Sequence, residues 1–534
     1  MSGSDGPGGY GGALARLDVR LVPAALTSWM VTAAGVVWPV GRLLAGCCAV
    51  LAVASGAAWW CVSRRPGPAV RSGAISAGLV AVGVVGAGFG FAIALRADAV
   101  ARHPITAAFG AAIPVTVTPS ESAMSLGSGR LMFRATLQYL REDETSGRAV
   151  VFARTSDFGD IMVGQPVRFT ARINRPKRHD LTVAVLIATG RPAVGQAAAV
   201  QRAAHAVRGR FAAAVRGVLP AEQAAMLPAL VLGDTSAVTT TTSRDFRAAS
   251  MTHLTAVSGA NVTIVCGAVL FSARLIGPRF AVLLAAAALV GFVIVVQPTA
   301  SVLRAAVMGA IALAGMLSSR RRQAIPALCA TVLLLMAVAP QLAVDIGFAL
   351  SALATAALVV ISPIWSRRLV ARRCPRPLAD AVAVALAAQV VTAPLVAAIS
   401  GRFSLVAVSA NLAVAAVIPP ITVLGTAAAV LCGLWPGAAQ VLIRFTGPEL
   451  WWVLSVAHWA AGMPGATVPV PKGVPGVLLV GGVTVLVVVL WRSRWFRLAA
   501  ASTMAVAVLC LLAWWLSGLS GDVGVMASGL TRQN

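Results

Sequence analysis

LVLGDTSAVTTTTSRDFRAASMTHLTAVSGANVTIV, residues 230–265, crowds acidic, basic, imidazole, hydroxyl and glycine residues together just before a long apolar run. Gly233-Asp234 closes one apolar segment, and a Thr-rich bend follows. Ser243 offers a hydroxyl N-cap to a new helix, with Asp245 and Phe246 in its first turn. That helix is expected to carry His253 and to enter the apolar run 254–270, interrupted early by Ser258-Gly259-Ala260-Asn261. Polar and small residues at the mouth of a membrane segment are costly unless they line water or meet partners. The stretch therefore reads as the lip of a pathway.

Outward from the lip, the chain is greasy. Of its 534 residues 58% are hydrophobic and only 11% charged, well below the roughly one quarter charged of a soluble globule. Repeated apolar runs near twenty residues predict a polytopic α-helical membrane protein. The net charge of +26 follows from arginines in loops, as membrane topology requires, and does not by itself imply nucleic acid. Eight cysteines, nearly all in apolar runs and without a CxxC pair or a zinc-like Cys/His spacing, read as small apolar fillers. The Gly-rich N-terminus carries no cleavable signal, so the first span is expected to act as the anchor.

The organisation expected is a flexible tail over 1–21, three membrane helices over 22–95, and a β domain over 96–200. An amphipathic helix and the polar lip follow over 201–252, then a transmembrane domain of about ten spans over 253–516 and a tail over 517–534. Glycines in the third span would let neighbouring helices approach closely. Between 96 and 200 short alternating segments replace the long runs: 113–119, 130–140, 150–155, 166–174 and 181–190, with a turn-rich piece at 142–147. Such a set fits a small barrel of the OB type inserted outside the membrane. Phe133, Tyr139 and Phe169, with Arg134, could form a platform for a single strand on the barrel face. Their alternating strand positions favour the barrel core over that platform. The Ala/Arg-rich helix over 200–216 is expected to lie in the interface plane, with His205 an ordinary interfacial histidine. The segment 449–462, with Trp451, Trp452, Trp459 and His458, reads as an aromatic interfacial helix.

Arginine clusters at Arg64/Arg65/Arg71, Arg274/Arg279, Arg320–Arg322, Arg367–Arg376 and Arg492–Arg497 fall in alternate loops and predict those loops to be cytoplasmic. The N-terminus is then inside, with the β domain and the C-terminus outside. Asp234, Asp245, His253, Arg304 and Asp345 would share the outer leaflet, where Arg304 and Asp345 could pair. Asn411 and Gln389 are expected to bond between helices. No catalytic set, metal site or cofactor site is predicted, and no Walker A motif is present to supply energy.

On LVLGDTSAV with RDFRAASMTHLTAVSGANVTIV, then PTASVLRAAVMGAIALAG (298–315), DIGFALSALATAALV (345–359) and SLVAVSANLAVAAVIPP (404–420), the chain resembles the ComEC family of competence proteins. The resemblance implies an inner-membrane channel for transforming single-stranded DNA, in a bacterial cytoplasmic membrane. Residues expected on the DNA path are Gly233, Asp234, Arg244, Asp245, Arg247, His253, Ser258, Gly259, Asn261, Arg304, Asp345, Ser351 and Asn411. Many members carry histidine where this chain has Asn261, so a titrating role there is not carried over. The chain runs to Asn534 without the HxHxDH signature of the family's nuclease domain, so a nuclease is not expected either. Implied partners are single-stranded DNA, membrane lipid, a DNA receptor outside, an ATP-driven translocase in the cytosol and a second copy of the chain. Two rivals are a transporter of another anionic polymer or small anion, and an intramembrane metal-dependent hydrolase using Asp234, Asp245 and His253.

Overall fold

The structure is a computed structural model that describes residues 18–38, 40–63, 70–255, 257, 259–297, 299–317 and 324–490. It opens with three helices, α1 (Val22–Val37), α2 (Gly41–Ser63) and α3 (Val70–Ala101). The glycines of α3 act as expected. A Cβ on Gly83 would stand 2.8 Å from the Cys48 carbonyl oxygen and the Ala52 nitrogen, and one on Gly90 would stand 3.0 Å from the Ala45 nitrogen. The α2 and α3 backbones therefore touch at these positions, as small residues in membrane helices permit.

The chain then folds into the barrel. Its strands are β1 (Ala112–Pro119), β2 (Met124–Gly127), β3 (Arg130–Leu140), β4 (Asp143–Arg154), β5 (Val167–Asn174) and β6 (Thr182–Val194), with a one-turn helix α4 (Thr155–Phe158) before β5. The order β1-β5-β6-β4-β3 closes through β1–β3, and β4 and β6 run parallel. This is the five-stranded closure of an OB fold, with β2 added at the outer edge of β3. Period-two alternation builds the core: Val115, Val117, Leu137, Val151, Ile173 and Leu186 all point inward and are sealed from solvent. Two sequence expectations change here. The piece 142–147 is mostly strand, because β3 and β4 turn tightly at Arg141 (φ 60°) and the hairpin pairs Leu140 with Asp143. Strand β2 was not foreseen, being four exposed residues beside the left-handed Gly127, Ser128 and Gly129.

The helical body follows: α5 (Ala199–Arg216), α6 (Ala221–Leu232), α7 (Thr240–Ala248), the single turn α8 (Thr252–Thr255), α9 (Gly259–Ala273), α10 (Pro278–Val296), α11 (Ala300–Leu317), α12 (Ala324–Val338), α13 (Ile346–Val360), α14 (Ser362–Val370) and α15 (Arg376–Ser400). Next come α16 (Ala407–Val414), α17 (Ile418–Leu431), α18 (Pro436–Phe445), α19 (Gly447–Gly462) and α20 (Val474–Leu490). Among the described residues six helices are long and apolar enough to cross a membrane, or seven if one bent pair counts as a span. That pair is α16 and α17, bent by 53°, where the sequence suggested two separate spans at 404–418 and 419–435. Pro419 and Pro420 fit the first turn of α17, where missing N–H groups cost nothing. In α19, Leu450, Val453, Ala457 and Ala460 are buried while Trp451, Trp452 and Trp459 are exposed, the two-faced helix the sequence predicted. The expected span 497–516, both tails and the arginines at 64–65, 320–322 and 492–497 lie outside the described residues.

Contacts divide the chain into two units, 1–391 with 404–467, and 392–403 with 468–534. The smaller has its own apolar cluster of Ala393, Ala397 and Val480 with Phe403 and Val470 against it. In the larger, one core joins α5–α7, α9–α11 and α16–α19.

Candidate functional site

The lip is built from a helix end, a short helix and a broken turn. Gly233 ends α6 in the left-handed conformation (φ 71°), its N–H reaching back 3.1 Å to the Ala229 carbonyl, as a glycine C-cap does. Helix α7 starts four residues earlier than expected: Thr239, not Ser243, is the N-cap, its hydroxyl accepting from Thr242 N–H at 3.1 Å. Thr242 is buried and donates to Glu222 at 3.1 Å. The helix stops at Ala248, because Ser250 takes φ 57°. His253 therefore sits on the separate turn α8 instead of on α7. Its side chain is exposed. Desolvation by the surrounding protein pushes its imidazole below the usual histidine range, against the raising effect of a hydrogen bond to the Ser250 backbone carbonyl.

The carboxylates go to separate partners. Asp234 accepts from the N–H and hydroxyl of Ser236 (3.2 and 2.7 Å) and lies 3.8 Å from Arg208 Nη2. Asp245 faces His458 on α19 at 3.1 Å. Asp345 caps α13, accepting from Phe348 N–H at 2.8 Å. The expected Arg304–Asp345 pair does not form, since the backbone of the first turn claims the carboxylate. Among the described residues no three His, Cys, Asp or Glu side chains gather as a metal-ligand set, so Asp234, Asp245 and His253 are not assembled as the hydrolase reading requires. Arg244 and Arg247 are exposed on α7. Ser258 lies outside the described residues.

Two arginines reach into the body, Arg304 buried and Arg208 nearly so. Arg208, which the sequence reading passed over, lies on the α5 face marked by Ala204, Phe211 and Val215, all buried. That helix packs one face into the bundle, while its other face, including His205, is exposed. Arg208 Nη1 donates to the carbonyls of Leu232 (3.0 Å), Val295 (3.1 Å) and Val296 (3.4 Å), the C-terminal ends of α6 and α10. These carbonyls have no helical partner of their own, and a cation suits them. Burial pushes the guanidinium below the ordinary arginine range, and Asp234 opposes the shift. Asn261, 5% exposed, completes the α6 end by donating to the Leu230 carbonyl at 2.9 Å.

Arg304 of α11 is also 5% exposed. Its Nε donates to Ser351 Oγ of α13 at 2.9 Å, and its Nη1 to Met308 Sδ at 3.3 Å. Ser351 Oγ is in turn 3.2 Å from Ser301 Oγ. Gly259, the first residue of α9, lies against this guanidinium: a Cβ there would be 3.0 Å from Nη2. Arg304 is in the second turn of α11, and a charge set among apolar helices without an ionic partner is costly. Asn411 bonds inside its own helix, to the Ala407 carbonyl at 2.8 Å, and not between helices as expected.

One hydrogen bond joins the barrel to the body, and another joins α3 to α12. Ser122 of the β1–β2 loop hydrogen-bonds Gln297 after α10, and Arg96 donates to the Ala337 carbonyl at 2.9 Å. Phe133 and Phe169 are 2% and 4% exposed and close on Phe158 with ring centroids 6.4 and 5.2 Å away, so they are core and cannot stack on bases. Tyr139 is exposed. Arg134 pairs with Glu121 at 3.1 Å. Burial lowers Arg134, but Glu121, Asp345 and Asp180 outweigh it and hold the guanidinium above its ordinary range. Arg148, diagonally across the same wall, is pushed down by burial and by Arg134, with Asp345 again opposing. Asp345 at the mouth of α13 is thus within electrostatic reach of the barrel's basic wall.

The family model described as Competence protein matches residues 230–495, a span that includes the lip, Arg304, Asp345 and the bent pair. No curated protein and no solved structure matches the chain.

Proposed function

The chain belongs to the competence protein family, a multi-pass membrane family with a role in DNA uptake, and we propose that it is the conduit for one DNA strand. The observation that carries this reading is Arg304, a cation sealed among membrane helices with only neutral partners, beside the polar lip. A polyanion crossing hydrocarbon needs a hydrated route with a few cationic or dipolar stations. Weak, replaceable contacts suit passage better than tight ones. In this reading the strand meets the barrel's arginine-bearing wall (Arg130, Arg134, Arg148 and Arg154 on neighbouring strands), passes the lip with Arg244 and Arg247, and reaches Arg304. The barrel contact is electrostatic and therefore salt-dependent. The loop arginines support an N-terminus inside and the barrel outside. A receptor would deliver DNA outside, an ATP-driven translocase would draw it in, and copies of the chain could assemble around lipid. No hydrolytic step is assigned to the chain.

The test is entry of labelled DNA into a deletion strain complemented with the wild-type chain or with Arg304→Gln. Restored uptake with the first and its loss with the second, at equal protein levels, is the expected result. Equal uptake by both would remove Arg304 from the path, and no restoration by the wild type would remove DNA as the cargo.

A further inference from the structure

We infer that a row of side chains on the outer wall of the barrel, Met124, Met132, Phe152 and Ile187, is a platform for unpaired bases that makes the barrel select a single strand over a duplex. It rests on the conduit reading only for DNA as the natural source of that strand.

The row follows from strand register. Met124 of β2 is opposite Met132 of β3, Met132 is opposite Phe152 of β4, and Phe152 is level with Ile187 of β6. Ile187 is opposite Arg172 of β5, which ends the row. The chain neighbours Phe133, Val151 and Leu186 are sealed in the core, so the row itself points outward. Met124 and Ile187 are exposed, and Met132 and Phe152 partly so. Single apolar residues on a surface are ordinary, but four in register across four strands make a patch.

Arginines frame this patch. Arg130 and Arg154, both exposed, are direct cross-strand partners on one side of it. Arg134, on the other side, is committed to Glu121. Like charges directly opposite each other weaken a sheet. Among the described residues no carboxylate pairs with Arg130, Arg154 or Arg172. Nothing in the fold offsets the Arg130–Arg154 repulsion, whereas an anion between the two guanidinium groups would.

The ligand must therefore carry negative charge beside flat apolar faces. A duplex turns its bases inward, so it meets the arginines and leaves the row unused. A single strand satisfies both, stacking bases on Phe152 and its neighbours while a phosphate meets Arg130 and Arg154. An anionic membrane also combines charge with apolar matter. Segments that enter lipid, however, carry their apolar side chains along one free face. Here those side chains lie in mid-wall, and the arginines on either side would have to enter with them.

The experiment uses the full chain in phosphatidylcholine nanodiscs at low salt and follows the anisotropy of a labelled oligothymidylate. The wild type should bind it about fivefold or more tightly than a duplex of equal length. Phe152→Leu keeps apolar bulk and loses the ring. It should weaken single-strand binding by about fivefold or more, leaving duplex affinity, salt dependence and thermal midpoint unchanged. Ile187→Ser, at an exposed position, should give a smaller loss in the same direction, and it serves if Phe152→Leu disturbs the fold. Arg130→Gln with Arg154→Gln should weaken both nucleic acids and lower the slope of log affinity against log salt by about 0.7, one phosphate. The thermal midpoint of that double variant should hold or rise. Equal affinity for single strand and duplex, or wild-type single-strand affinity in both Phe152→Leu and Ile187→Ser, overturns the platform. So does a Phe152→Leu effect that vanishes in discs containing phosphatidylglycerol while oligothymidylate still binds, which would assign the wall to lipid. A platform that behaves as stated in a chain that restores no uptake upholds the platform and removes its link to the conduit.

Discussion

Arg208 and Arg304 lie inside the same helical core under similar cover, and almost everything else about them differs. Arg208 has three helix-end carbonyls and a carboxylate around it. Arg304 has a hydroxyl, a thioether and the positive end of a helix. Burial sets the cost of a charge, and the company it keeps decides whether that cost is met within the fold. Arg208 is met within the fold, so it acts as a clamp that fixes where α6 and α10 end and hence where the lip begins. Arg304 is not, so its place among the helices makes sense when a partner from outside arrives. The two arginines thus differ in company: one is held by helix ends and a carboxylate, the other by neutral groups alone.

The sharpest way to break this comparison is to remove the clamp. Arg208→Gln should destabilise the protein by about 3 kcal/mol, because the helix-end carbonyls and the half-buried Asp234 lose their cation. Protein abundance and the thermal midpoint in detergent check it. Arg208→Lys should recover only part, since one ammonium cannot span donors aimed at two helix ends. Next in size is Asn261→Ala, which leaves the Leu230 carbonyl buried without its side-chain donor and should cost about 1–3 kcal/mol by the same measurement. Arg304→Gln should behave the other way round. Stability should hold or rise, because a desolvated charge disappears. DNA uptake should fall by about tenfold or more, equivalent to about 1.4 kcal/mol. A large loss of stability in Arg304→Gln would make the two arginines alike and end the distinction.

How far these roles could be read from the chain depends on the range of the interactions behind them. The barrel was legible because inward and outward residues alternate locally, and that same alternation put Phe133 and Phe169 in the core instead of on a DNA platform. The aromatic helix at 447–462 was legible because its tryptophans share a face. Arg208 could have been found: positions 204, 208, 211 and 215 recur at helical spacing, and three of them are apolar or small. The Arg-rich composition of that helix drew attention to its exposed face. The Arg304–Asp345 pair failed for a local reason, since an Asp opening a helix has backbone donors at hand before any distant arginine. The break at Ser250 has no glycine or proline to announce it. The contact of Gly259 with Arg304 joins separate helices, and only packing brings them together.

A third charged contact sharpens the argument from the opposite side. Asp245 and His458 are 3.1 Å apart, closer than Arg208 and Asp234 at 3.8 Å, yet the His458 side chain is 83% exposed. If proximity set the energy, His458→Ala would rival Arg208→Gln. If burial does, water screens the pair and the change should cost well under about 1 kcal/mol, with uptake unaltered. A thermal midpoint within about one degree of the wild type is the result expected of a small surface contribution in a large chain. A fall comparable to that of Arg208→Gln would mean that the α7–α19 contact, and not the helix-end clamp, holds the lip in place.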